Sequence, residues 1–205
     1  VADDVFGVAR VGAARGDEIG RAMIALAKDP ADKAADAIVS ADRSYHSMLR
    51  TTCVATLLDG GHANNALPQR AGANINCRIF PTETVAQTAA TLNRIIGDPG
   101  IKITAIGKIT PIASPPPLDP KVVGPAERLA AKYFPGVPVV PVMLTGATDG
   151  RYTGAIGIPT YGVPGGWHDP DMGGIHGLNE RNSVRSVYVG RDYLTDLVKA
   201  YANGE

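Results

Sequence analysis

Apolar positions along the chain follow two periods, and the switches between them mark out the elements. Asp17 to Lys28 carries Ile19, Met23, Ile24 and Leu26 along one helical stripe, and Asp29-Pro30 closes it before a second helical run from Ala31 to Val39. The opening third is therefore predicted to be helical. Thr51 to Leu58 alternates as a strand does, Gly60-Gly61 breaks it, and Ala71 to Phe80 alternates again through Ile75, Cys77 and Ile79. Thr84 to Ile96 returns to helical spacing through Val85, Ala89, Leu92 and Ile96. Gly97-Asp98-Pro99-Gly100 stops it before the alternating segment Ile101 to Ile109. Strand, strand, helix, strand is the order expected of an open antiparallel sheet with helices on one face, an α+β unit.

Pro111 to Pro120 holds five prolines, too few amide donors for a sheet interior and stiff enough to separate two units. The domain boundary is placed there, giving a first domain over residues 1–112 and a second over 113–205. In the second, Lys121 to Tyr133 reads as a helix and Val137 to Leu144 as a buried strand. A Gly-rich turn, a short strand from Thr160 to Val163, a long loop and a closing helix from Asn182 to Tyr201 follow. This is an α/β pattern of only about 90 residues, small for such a fold, so something is expected to complete it. No internal repeat suggests a solenoid.

Charge and composition narrow the partners. Twenty basic and twenty acidic residues cancel, no run of like charge occurs, and one Trp, three Phe and seven Tyr leave little for base stacking. Nucleic acid is not an expected partner. The longest apolar stretches are broken by Pro and fall far short of the roughly 20 residues that cross a bilayer. The first residues, Val-Ala-Asp-Asp, are not a basic segment followed by an apolar one and do not read as an export signal. A soluble protein is expected, cytoplasmic or periplasmic. Cys53 and Cys77 are the only cysteines and form no CxxC pair. Two small buried side chains are favoured over a disulfide or thiolate ligands.

Three histidines, His62, His168 and His176, sit beside Gly, Pro, Asp or Asn in predicted loops. His168-Asp169-Pro170-Asp171 followed by His176 gathers zinc-ligand types in one loop, although the spacing matches no closed structural zinc motif. Such a loop is also polar simply because it faces water. Gly146-Ala147-Thr148-Asp149-Gly150-Arg151 places backbone amides, the Thr148 hydroxyl and an Arg where an anion could be held. A guanidinium matches a carboxylate's two oxygens with parallel donors, as an ammonium cannot. A surface pair of Arg151 with Asp149 stands level with that reading on pattern alone. Asn64 and Asn65, between the two strands, read as turn residues that tolerate positive φ.

Taken in order, three segments resemble the co-catalytic zinc metallopeptidases and amidohydrolases that include aminoacylase, carnosinase, glutamate carboxypeptidase and succinyl-diaminopimelate desuccinylase. Gly60-Gly61, Asn64-Asn65-Ala66-Leu67-Pro68 and Asn76-Cys77-Arg78 resemble the hairpin of that family's lid. Thr148-Asp149-Gly150-Arg151 resembles its substrate-binding turn, and Ile175-His176-Gly177-Leu178-Asn179-Glu180 its last metal-ligand segment. The resemblance implies a lid or dimerisation domain with an antiparallel sheet covered by helices, then the C-terminal part of an α/β zinc-hydrolase catalytic domain. His176 would be a zinc ligand. Arg151, helped by Thr148 and the Gly146 backbone, would hold a substrate carboxylate. Asn65, with Asn64, would reach the substrate from the partner subunit, and Arg78 would be a further anion contact. His62 and His168 match no ligand of the family.

The resemblance also implies two zinc ions in a complete enzyme, a small peptide or N-acyl amino acid as substrate, and a homodimer. The family's first half supplies a His-x-Asp strand end, a bridging Asp, a paired Glu-Glu with the general base, another acidic ligand and a lid histidine, and none of these is found here. The chain is therefore expected to begin inside the lid, to need the missing N-terminal half of the catalytic domain as a partner, and to be inactive alone. The alternative is a non-catalytic dimerisation or binding module with the same fold.

Overall fold

The computed structural model describes residues 2–107, 115–167 and 174–204. Its elements are helices α1 (Ala2–Arg15), α2 (Glu18–Lys28), α3 (Lys33–Ser40) and α4 (Arg43–Met48), strands β1 (Thr52–Gly60) and β2 (Ala71–Arg78), and helices α5 (Val85–Ile96), α6 (Pro120–Tyr133), α7 (Gly150–Ala155) and α8 (Val184–Asn203). They form two compact units that interleave along the sequence. One comprises Val1–Lys28, Pro116–Pro141 and Pro159–Glu205; the other comprises Asp29–Pro115 and Val142–Ile158. The boundary expected between residues 112 and 113 lies outside the described residues.

The second of these units carries an α+β fold with a small antiparallel sheet. Asp32 and Asp42 start α3 and α4 by accepting backbone N–H bonds from the first turn. Asp36 on α3 is held by Arg50 and by the Ser40 hydroxyl (2.9 Å), and these contacts, Arg50 foremost, keep its carboxyl below the usual range. β1 and β2 pair antiparallel from Thr52↔Arg78 to Gly60↔Ala71, with a register shift between Ala55 and Leu57. Thr51 ties off the open end: its hydroxyl donates to Glu83 (2.7 Å) and accepts from the Phe80 amide (2.8 Å). Thr84 and Gln87 then form a capping box that starts α5.

Cys53 and Cys77 are not the two small buried residues expected from sequence. They face each other across the ladder and form a disulfide, with Cys53 exposed and Cys77 half-buried. The physical reason is register: once the two alternating segments pair as a hairpin, these positions fall directly opposite, where side chains are closest.

Helix α8 organises the other unit. Ser183 caps it, and Tyr193 and Leu197 bury against Ala126 and Ala130 of α6, with Leu129, Tyr133, Phe134 and Val163 around them. Tyr133 and Phe134 meet the Tyr193 ring edge-on at centroid distances of 5.9 and 5.4 Å. Residues 165–167 run along α8. Ser186 donates to the Trp167 carbonyl (2.8 Å) and accepts from its amide (2.9 Å). Gly190 lets the backbones meet: a Cβ there would stand 1.7 Å from the Gly165 carbonyl oxygen. Earlier in the chain, α1 and α2 approach through Gly12 and Gly20 in the same way.

Three expected strands are not formed among the described residues. Residues 101–107, 137–144 and 160–163 carry no ladder, and Val137, Val142 and Leu144 are exposed, not buried. An apolar β-prone segment becomes a strand only when a neighbour completes its hydrogen bonds, and the described residues supply no such neighbour to these three. No described helix is long and apolar enough to cross a membrane.

Candidate functional site

The residues singled out in the sequence divide between the two units. In the α+β unit, Asn64 and Asn65 occupy the connection between β1 and β2, where residues 61–70 are all exposed. Arg78 ends β2 opposite Thr52. The hairpin thus separates Arg78 from Asn64 and Asn65 by the length of a strand, about 25 Å for eight residues. It does not bring them together. Arg78 too is exposed.

Thr148 and Arg151 lie on the turn into α7. The Thr148 hydroxyl accepts from the Gly150 amide (3.3 Å), and its carbonyl accepts from the Arg151 amide (3.3 Å), so the turn closes on itself. Asp149 stands at the N-cap position with no capping bond from its side chain. The Arg151 guanidinium lies over the Tyr152 ring, 4.6 Å from the centroid, and donates to the Tyr152 hydroxyl (2.9 Å). That contact holds the cation against the aromatic ring at the surface. A Cβ at Gly146 would meet nothing within 4 Å, which leaves the backbone there open to approach.

His176 lies in the other unit, on the turn before α8. It is the one non-glycine among the described residues with positive φ (62°). Its amide donates to the Glu180 carboxylate (3.1 Å), while the Gly177 amide donates to the Gly174 carbonyl (2.6 Å) and the Glu180 amide to the Gly177 carbonyl (3.3 Å). The imidazole is exposed on a short loop that its own backbone ties together. A left-handed non-glycine residue costs about 1 kcal/mol or more and persists where surrounding bonds over-determine it. Sequence reading gave His176 a role and left Glu180 without one. The signal for the carboxylate was present, four residues on in the same motif.

Among the described residues, no three or more His, Cys, Asp or Glu side chains gather where they could hold a metal ion. His176 offers a single imidazole, Cys53 and Cys77 are joined to each other, and His62 sits in the exposed hairpin connection. His168, Asp169 and Asp171 lie outside the described residues. The described residues of this chain do not by themselves fit a metal.

Residues 18–104 match a family described as the peptidase dimerisation domain. That span runs from α2 to just past α5, with the hairpin at its centre. Among curated proteins, the chain is similar to a probable carboxypeptidase S-like protein of Dictyostelium discoideum, 25% identical over 163 residues, which is 79% of this chain and 31% of that protein. It is also similar to the N-fatty-acyl-amino acid synthase/hydrolases of Mus musculus (29% over 158 residues; 75% of this chain, 31% of the relative) and Xenopus tropicalis (26% over 167 residues; 79% and 32%). The match spans about a third of the length of these relatives. No solved structure matches the chain. Residues 18–104 thus match the peptidase dimerisation domain, and the chain is similar over about three quarters of its length to proteins named as a carboxypeptidase S-like protein and as N-fatty-acyl-amino acid synthase/hydrolases.

Proposed function

We propose that this chain is the later part of a metal-dependent amidohydrolase that cleaves the amide bond of a small peptide or N-acyl amino acid bearing a free carboxylate. The observation that carries the proposal is the peptidase dimerisation domain at residues 18–104, in a chain whose relatives are named as a carboxypeptidase-like protein and as acyl-amino acid hydrolases. In this reading residues 1–112 form the lid and 113–205 the C-terminal part of the catalytic domain.

Arg151 takes the substrate carboxylate in a charge-assisted fork, with the Thr148 hydroxyl and the open Gly146 backbone beside it. Its contact with the Tyr152 ring supports this role, since a guanidinium already held against a neighbour loses less freedom on binding. Anchoring the carboxylate would align the amide for attack, so Arg151 would act on kcat as well as KM. Asn65, with Asn64, presents donors from the hairpin connection to a substrate held by the partner subunit, and Arg78 would meet a second anionic group. The exposed apolar residues Val54, Leu57, Leu58 and Ile75 on the hairpin support a surface covered by a second copy in a homodimer.

His176 is proposed as one zinc ligand. Two zinc ions, when bound, would polarise the scissile carbonyl and lower the pKa of a bound water. In this reading the remaining ligands and the general base would come from an N-terminal half of the catalytic domain. The experiment is elemental analysis of zinc after dialysis, on the 205-residue chain and on the enzyme that contains it with the remaining ligands. The chain alone should hold no tight zinc, and the enzyme should hold two ions and lose affinity on His176→Ala. An enzyme that binds no zinc, or keeps its zinc undiminished in His176→Ala, refutes the assignment and favours a non-catalytic dimerisation module.

A further inference from the structure

The hairpin that carries Asn64 and Asn65 has little of its own to hold it. Neither β1 nor β2 contains a buried residue. The sheet has two strands among the described residues, and a two-stranded ribbon is marginal in water unless something else secures it. The bulge between Ala55 and Leu57 interrupts the ladder midway. Register is firmly specified where one face is buried and weakly specified where neither is, because a slip then exposes no core. The Cys53–Cys77 disulfide lies on the open side of the bulge and joins two residues directly opposite in register. It encloses the outer ladder and the whole 61–70 connection within its 24-residue separation. Cys53 is solvent-exposed, so the bond is within reach of a soluble thiol.

We propose that Cys53–Cys77 is a redox-reversible staple that fixes the register of the β1–β2 hairpin and the placement of its connection. A dithiol would act as co-reactant. One of its thiolates attacks the Cys53 Sγ, the Cys53–Cys77 S–S bond breaks, and the electron pair leaves on Cys77 as a thiolate that takes up a proton. The second dithiol sulfur then displaces the Cys53 thiolate from the mixed disulfide. The balance is two cysteine thiols gained and one dithiol oxidised to its own disulfide. Opening the staple releases the hairpin from its register, while the α6–α8 pairing, which rests on buried rings and Leu197, is untouched.

The test is hydrogen exchange read by mass spectrometry on the 205-residue chain, oxidised and after dithiothreitol, with thiol titration to count two free thiols per reduced chain. The Cys53→Ser/Cys77→Ser double variant is run beside it. Reduction should speed exchange across residues 52–60 and 71–78 on the order of a hundredfold, the scale set by losing a cross-link around a loop of this size. Residues 120–133 and 184–203 should be unchanged. The double variant should exchange fast in the strands without reductant and ignore it when added. Strand protection that survives complete reduction overturns the proposal, as does a bond that dithiothreitol does not open. Equal loss of protection in α6 and α8 also overturns it, since the disulfide would then lock the whole fold.

Discussion

His176 offers the sharpest test of whether the turn before α8 is built around a functional side chain. Its φ of 62° places Cβ against the backbone at a cost of about 1 to 2 kcal/mol for an L-residue. Replacing His176 with Ala keeps Cβ and therefore that cost. Replacing it with Gly removes the cost but adds freedom to the unfolded chain worth about 0.5 to 1 kcal/mol. The difference leaves His176→Gly more stable than His176→Ala by about 0.5 to 1 kcal/mol. Urea unfolding can resolve this through Trp167, the sole tryptophan. Trp167 lies edge-on to Phe134 at 5.9 Å, in the unit that also contains the turn. With a slope near 2 kcal/mol per molar urea, the midpoints should differ by about 0.3 to 0.5 M. Both variants lack the imidazole, so hydrolysis by the enzyme containing them should be lost to the same extent. An Ala variant as stable as the Gly variant would refute the strained turn, and turnover retained in either would refute the role of the side chain.

Leu197→Ala removes a nearly fully buried side chain from the α6–α8 interface and should destabilise that unit by about 2 to 4 kcal/mol; a loss under about 1 kcal/mol in urea unfolding would contradict the packing described. Gly190→Ala puts a Cβ 1.7 Å from the Gly165 carbonyl oxygen, and with backbone on both sides it should cost about 3 kcal/mol or prevent folding; a wild-type melting temperature would contradict the close approach. Asp196 accepts from the Tyr133 hydroxyl (2.6 Å) and from Lys132 (2.9 Å), which hold its carboxyl below the ordinary range. Because its folded pKa is depressed, the stability it contributes is present above the unfolded value near pH 4 and is lost as pH falls through the folded one. Asp196→Asn should therefore flatten the fall of melting temperature on acidification, leaving the part due to Asp17 and Asp36, whose carboxyls are also held low; an unchanged acid slope would contradict it.

How far the fold was legible depended on whether an element is stabilised locally. The helices at Glu18–Lys28, Lys33–Ser40, Val85–Ile96, Pro120–Tyr133 and Val184–Asn203 carry their own periodicity and caps, and the two strands are joined by a connection that brings them together. Ile101–Ile109, Val137–Leu144 and Thr160–Val163 have strand-like composition, yet pairing depends on a neighbour that composition does not supply. The disulfide was missed for a related reason. Cys53 and Cys77 are unremarkable until the hairpin register is drawn, and the register then sets them face to face. Among the candidate site residues, the motifs gave positions on turns, which the structure places as exposed loops and a turn into α7. What sequence could not provide was the left-handed backbone at His176, the Glu180 carboxylate on its amide, and the Tyr152 ring under Arg151.

The claim that this chain supplies a carboxylate clamp to a hydrolase is met most directly by one kinetic comparison. An N-acyl amino acid and its C-terminal carboxamide are offered to the enzyme containing this chain, in wild-type form and as Arg151→Lys. The account predicts that the wild type prefers the free carboxylate by about a hundredfold or more in kcat/KM, the scale of a charge-assisted fork. Most of that preference should collapse in Arg151→Lys. Equal turnover of the two substrates by the wild type, or an undiminished preference in Arg151→Lys, would contradict it.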